Sequence, residues 1–331
     1  MSLTYTPCSL FNSNLSLHLR IHHVYSKKLF IPHQVFTYHL RYAFRHDWLF
    51  LGISSLKHIP WIFKIHNSAI DEMTEKTTLY FRYNWYIFFL VLLCMIFARS
   101  AAMAFNRYLD RKWDALNPRT AIREIPKGII TPHNALLFTL VSCALLLVTC
   151  FFINRICFFL SPVALAVVLG YSYTKRFTPL CHLILGLGLA LAPIGAYLAV
   201  TGVFHWLPIL FSLAVLFWVS GFDIIYALQD VEFDQSQQLY SIPAWLGKER
   251  ALHVSELLHL LSAAAVVAAG KFGDFGWLYW IGVLIFGSCL VYQHAIIKAN
   301  DLRRVNLAFM TTNGIASVVF AVFVIADLFL Q

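Results

Sequence analysis

Apolar runs recur along the chain near 86–105, 134–152, 156–171, 183–202, 206–228, 254–270, 276–294 and 305–329. Each is close to the roughly 20 residues an α-helix needs to cross the hydrocarbon core of a bilayer. The pattern therefore predicts an all-α, polytopic membrane bundle of about eight helices. The polar breaks alternate in charge. Arg107, Arg111, Lys112, Arg119, Arg123 and Lys127 separate the first two runs, Lys175 and Arg176 the third and fourth, Lys248 and Arg250 follow the fifth, and Lys298, Arg303 and Arg304 the seventh. The intervening connections carry only Arg155 and Lys271. Basic connections concentrate on the cytoplasmic side, so alternate loops are expected there.

Residues 1–80 follow a different pattern, with eight His and scattered Lys and Arg. They contain no uninterrupted run of about 18 apolar residues, because Trp48 to Phe63 is broken by Lys57, His58 and Pro60. Nor do they show the basic, apolar and small-residue order of a signal peptide. The expected division is an atypical basic, His-rich segment over 1–80 and a membrane domain over 81–331.

Composition narrows the class. The 331 residues are 60% hydrophobic and only 12% charged, whereas charged residues make up about a quarter of a soluble domain. A net charge of +9 suggests polyanions, but the cations lie between apolar runs with no interleaved patch for tracking phosphates. Nucleic acid is excluded as a partner, and a lipid bilayer is implied. The seven Cys form no CxxC pair, and most lie inside apolar runs, where Cys acts as a small hydrophobe. The His residues form no ligand cluster; His18 and His22 have only helical spacing.

Two acidic stretches break the apolar pattern. In Arg99 to Thr120, Asn106, Asp110 and Asp114 recur every fourth residue, so on a helix they form one polar stripe that also takes in Arg99. Asp223 to Asp234 repeats the design, with Asp223, Asp230 and Asp234 on one face. The alternation of loops puts both stretches on the same side. Any single aspartate there could be a helix end facing water. Two matched pairs beside membrane spans instead mark a functional site, because ionisable groups there are costly unless they face water, an ion or each other. Clustered carboxylates repel, and Mg2+ resolves this by taking carboxylate and phosphate oxygens together. The expected ligands are Asp110, Asp114, Asp230 and Asp234, with Asn106 supplying a neutral oxygen or an amide donor. Lys175 and Arg176, on the same side, suit a diphosphate leaving group.

Three stretches in order, NRYLDRKWD with NPRTAIREIPKG, then YSYTKRFT, then DIIYALQDVEFD with LYSIPAWLG, resemble the motifs of the UbiA superfamily of intramembrane aromatic prenyltransferases. The resemblance covers Trp85 to the C-terminus. It implies nine helices around a central cavity that opens sideways to lipid, with the aspartate motifs capping the cytoplasmic side in the cell inner membrane. It also implies that Asn106, Asp110, Asp114, Asp230 and Asp234 hold Mg2+ and diphosphate, and that Arg99, Lys175 and Arg176 contact phosphate oxygens. Asp223, Tyr171 and Tyr226 would line the reacting centre, completing a catalytic set with Asn106 and Asp110. The implied partners are a polyprenyl diphosphate and a small aromatic acid, 4-hydroxybenzoate as in ubiquinone synthesis, or alternatively a dihydroxynaphthoate of a menaquinone route. Two departures bear on the acid. Arg123-Glu124 stands where ubiquinone-pathway members commonly have Arg-Pro, and Ser236, Gln237 and Gln238 follow the second motif where many have Lys or Gly. A different class, a secondary transporter using intramembrane carboxylates, would place its site near the midplane on broken helices, whereas these acids fall at helix ends. The ninth helix has no apolar run; the expectations for 1–80 are a poor helix around Phe44 to Phe63, a surface-lying tail, or a reading-frame change that replaced the segment.

Overall fold

The computed structural model describes residues 74–330, with side chains from Trp85 onward. Expectations for residues 1–73, including the helix around Phe44 to Phe63 and the pair His18 and His22, lie outside the described residues. Ten helices follow: α1 (Thr74–Leu116), α2 (Pro132–Ile153), α3 (Arg155–Thr174), α4 (Cys181–Thr201), α5 (Trp206–Ala227), α6 (Val231–Ser236), α7 (Ile242–Leu246), α8 (Lys248–Phe272), α9 (Trp277–Ile296) and α10 (Asn313–Leu330). A 3-10 turn, Leu228–Asp230, joins α5 to α6, and a π-helical segment, Leu307–Thr312, leads into α10. Eight spans among the described residues are long and apolar enough to cross a membrane, α5 and α6 counting as one. The helix expected from residue 86 starts earlier, at Thr74, inside the segment that composition set apart.

Local signals mark the helix ends. Thr131 caps α2 by accepting from the Asn134 amide at 3.2 Å, with Pro132 in the first turn, where a missing N–H costs nothing. Asn154 caps α3 through the Cys157 amide at 2.8 Å, and its own amide donates to Leu198 O at 2.8 Å, fastening the start of α3 to the end of α4. Gly202 closes α4 at φ 69°, a left-handed value that a Cβ would disfavour.

The span formed by α5 and α6 is the axis of the bundle. Its apolar stretch is 61% buried against 17% for α1, so it lies among protein and not against lipid. It packs between α4 and α8. Apolar burial gives little drive between helices in lipid, so close packing and inter-helix hydrogen bonds must supply it. Serines provide the bonds: Ser220 Oγ donates to His182 O of α4 at 3.1 Å, while Ser255 and Ser262 of α8 donate to Gly221 O and Ala214 O of α5 at 2.7 and 2.8 Å. Each such bond contributes about 0.6 kcal/mol. Gly186 lets α4 approach, since a Cβ there would meet the Leu216 carbonyl and the Ser220 hydroxyl. The described cysteines are all free, and Cys94 and Cys150 pack in an apolar cluster with Leu146 and Leu165.

Candidate active site

The path of the chain gathers the polar motifs at one end of the bundle. The α1 helix continues beyond its apolar run to Leu116 and carries Asn106, Asp110 and Asp114 on its last turns. The α5 span ends in the 3-10 turn and α6, which carry Asp230 and Asp234. The turn between α3 and α4 carries Lys175 and Arg176.

Each of the four expected metal carboxylates has its own cation. Asp110 lies 3.4 Å from Arg176, Asp114 lies 2.6 Å from Arg123, Asp234 lies 2.8 Å from Lys175, and Asp230 is gripped by the guanidinium of Arg119. These pairs cross between elements. Arg176 spans from the α3–α4 turn to α1, where it also donates to Leu109 O at 3.3 Å and lies over the Trp113 ring at 4.6 Å. Lys175 spans to α6, and its carbonyl accepts from the Tyr240 amide at 2.7 Å. Arg119 and Asn117, just beyond α1, both reach Asp230, Asn117 Nδ2 at 3.2 Å. Arg119 also donates to the Tyr226 hydroxyl at 2.7 Å. Burial alone would lower the pKa of Arg119, but its hydrogen bonds and the charge of Asp230 raise it above the ordinary arginine value.

Asn106 Nδ2 donates to Asp110 Oδ2 at 3.0 Å, a contact between two residues of the expected stripe on α1. Asp234 is fully buried, and Ser241, the cap of α7, donates to its Oδ2 at 3.0 Å. Tyr226 stacks on Phe309 of the π-helical segment with centroids 4.2 Å apart. Asp223 is held by His182, whose Nδ1 lies 2.6 Å from Asp223 Oδ2. Tyr171 lies in the last turn of α3, and Arg99 lies on α1.

Reasoning from sequence missed Arg119, Arg123, Asn117, Ser241 and His182. The first three were visible in the NPRTAIREI stretch after the first motif, but nothing in spacing tells which cation meets which carboxylate. His182 lies 41 positions from its partner and has no sequence signal at all. The carboxylates do not converge on one point: among the described residues no three of His, Cys, Asp and Glu are grouped to hold an ion. The donor set nonetheless suits Mg2+. It is made of hard oxygens, and Asp114 Oδ2 is buried without a hydrogen-bond partner among the described residues, leaving ligating capacity free. Gln238 stands at φ 53°, a left-handed value that favours glycine, at one of the positions where this chain departs from the resemblance.

Comparison with known proteins agrees with this architecture. A family model described as the UbiA prenyltransferase family matches residues 81–315. The 4-hydroxybenzoate octaprenyltransferase of Citrobacter koseri is 30% identical over 222 residues, 67% of this chain and 76% of that protein. The protein of the same name from Aliivibrio salmonicida is 29% identical over 242 residues, 72% of this chain and 83% of that protein. Among solved structures, the apo form of a UbiA homolog from Aeropyrum pernix superposes with a TM-score of 0.72 at 26% identity, covering 86% of this chain and 98% of that one. A UbiA homolog from Archaeoglobus fulgidus bound to DMAPP and Mg2+ shares the fold, with a TM-score of 0.61 at 22% identity over 86% of this chain and 96% of that one.

Proposed function

Since the chain belongs to the UbiA prenyltransferase family and is an integral-membrane prenyltransferase, we propose that it moves a polyprenyl chain from its diphosphate onto a small aromatic acid in respiratory quinone synthesis. The observation that carries the proposal is that both aspartate pairs lie at one end of the bundle, each carboxylate with its own cation. A site for a metal and a polyanion needs both signs of charge in reach. The reading also draws on the relatives named 4-hydroxybenzoate octaprenyltransferase.

Asp110, Asp114, Asp230 and Asp234, with Asn106, are the residues to hold Mg2+, which supplies Lewis-acid neutralisation of phosphate oxygens when bound. Lys175, Arg176 and Arg99 bind the diphosphate and offset the charge it gains as the allylic C–O bond breaks and the electron pair leaves with it. The allyl cation left behind needs a site without water, since water would convert it to an alcohol. Tyr171 lines the reacting centre in this reading, as does Tyr226, whose ring stacks on Phe309 and lies under the guanidinium of Arg119. A ring carbon ortho to the acceptor hydroxyl then forms the new C–C bond, and loss of the ring proton restores aromaticity. The active-site loops are assigned to the cytoplasmic side of the cell inner membrane, from their basic residues.

The acceptor is 4-hydroxybenzoate in this reading. A dihydroxynaphthoate is the second reading, raised by Glu124, which stands where ubiquinone-pathway members commonly have Pro. The test is to incubate the purified chain in lipid nanodiscs with geranyl diphosphate, MgCl2 and each acid, and to read product mass. A prenylated acid identifies the acceptor, whereas no product with either acid defeats the proposal.

A further inference from the structure

The aspartates of the two motifs are not held alike. Four of them face Lys or Arg, whereas Asp223 meets an imidazole. His182 lies in the first turn of α4, its side chain only 3% exposed, and its Nδ1 is 2.6 Å from Asp223 Oδ2. Among the described residues it is the only hydrogen-bond partner of that carboxylate. The Asp223 side chain keeps 23% of its surface exposed, so the histidine backs the carboxylate without covering it.

The backbone behind this pair is fixed as well. Ser220, three residues before Asp223, donates to His182 O at 3.1 Å, and Gly186, one turn after His182, lets the two helices close on each other. The other ring nitrogen, Nε2, is buried and has no hydrogen-bond partner among the described residues. An imidazole is costly to bury, and within the described residues the carboxylate is what its ring bonds to. Asp223 shares a helical face with Tyr226 and Asp230, three and seven positions on. It therefore stands beside the diphosphate groups but outside their set of ion pairs.

We propose that His182 is a positioning residue that holds Asp223 as the hydrogen-bond acceptor for the hydroxyl of the aromatic acceptor. With Oδ2 engaged by Nδ1–H, Oδ1 is left to accept from a phenol, and that bond pushes electron density into the ring and fixes which carbon faces the allylic cation. A histidine holds the orientation through one directed bond. The inference rests on the acceptor class proposed above and adds the residue that aligns it.

The experiment uses the full chain in nanodiscs with geranyl diphosphate and whichever phenolic acid the wild type prenylates. His182→Phe keeps the ring volume and removes the N–H; kcat/KM for the acid should fall about tenfold or more, the loss expected for one hydrogen bond to a charged group, while KM for geranyl diphosphate stays within about twofold. His182→Asn, whose amide N–H falls near the position of Nδ1, should recover most of the loss, and His182→Gln, whose amide sits one bond farther out, should not. A purely structural role would instead shift donor and acceptor constants together, and this would overturn the proposal, as would an unchanged kcat/KM in His182→Phe. Should that variant fail to accumulate, the comparison of Asn with Gln decides: equal activity of the two overturns the proposal. Failure of the wild type with every phenolic acid would overturn the acceptor reading itself, whereas an active wild type with indifferent variants would overturn this inference alone.

Discussion

Lys175 Nζ lies 2.8 Å from Asp234 Oδ1, while the next residue, Arg176, reaches Asp110 in the opposite motif at 3.4 Å. Two consecutive residues thus tie the end of α1 to the end of the α5 span. Burial opposes the charge on Lys175, yet the Asp234 carboxylate beside it raises its pKa above the ordinary lysine value. It stays a cation where phosphate is expected. The same contacts keep the carboxylates from repelling one another.

Asp110→Ala and Asp230→Ala should each lower kcat by at least about a hundredfold, the scale of losing one group that stabilises developing charge. Both proteins should still insert and accumulate, because their apolar spans are untouched. EDTA should stop the wild type and MgCl2 restore it. Near-normal prenylation by both variants would remove the metal from the mechanism.

Replacing Lys175 and Arg176 together by Gln should raise KM for the prenyl donor or lower kcat, with the preference among acids unchanged, because both act on the leaving group. Steady-state kinetics with each substrate varied in turn checks this. A change confined to the acid's KM would reassign the pair to carboxylate recognition.

Arg119 binds Asp230 with a fork that lysine cannot copy. Arg119→Gln should destabilise the folded protein by about 1.5–3 kcal/mol, visible as a lower melting temperature in detergent. Arg119→Lys should recover only part, since it keeps the charge and loses the geometry. Full recovery by lysine would reduce the role of this residue to charge alone.

Gly186→Val should lower the melting temperature by forcing α4 away from Ser220 and Leu216, at a cost of about 1–3 kcal/mol for overpacking. Gly170, whose Cβ would meet nothing within 4 Å, is the control and should tolerate alanine. Equal effects at both positions would argue against a tight α4–α5 crossing.

Much of the architecture was legible before any coordinates. Apolar runs of spanning length are local, and lipid makes a helix the only way to satisfy their backbone groups, so the count of eight, their order and the alternation of basic loops follow from the chain alone. The stripe of Asn106, Asp110 and Asp114 is also local, because helical periodicity puts every fourth residue on one face. Pairing is a different matter. Which cation meets which carboxylate depends on how helix ends meet in space, and Asp230 found Arg119, 111 positions away, by a path that no spacing encodes. The apolar run marks where the membrane-spanning part of α1 begins, while the helix itself extends back to Thr74 through residues that carry no apolar signal. His182 shows the limit most clearly. On the sequence it is a lone histidine in an apolar run; only the crossing of α4 and α5, close because Gly186 has no side chain, brings its ring to Asp223.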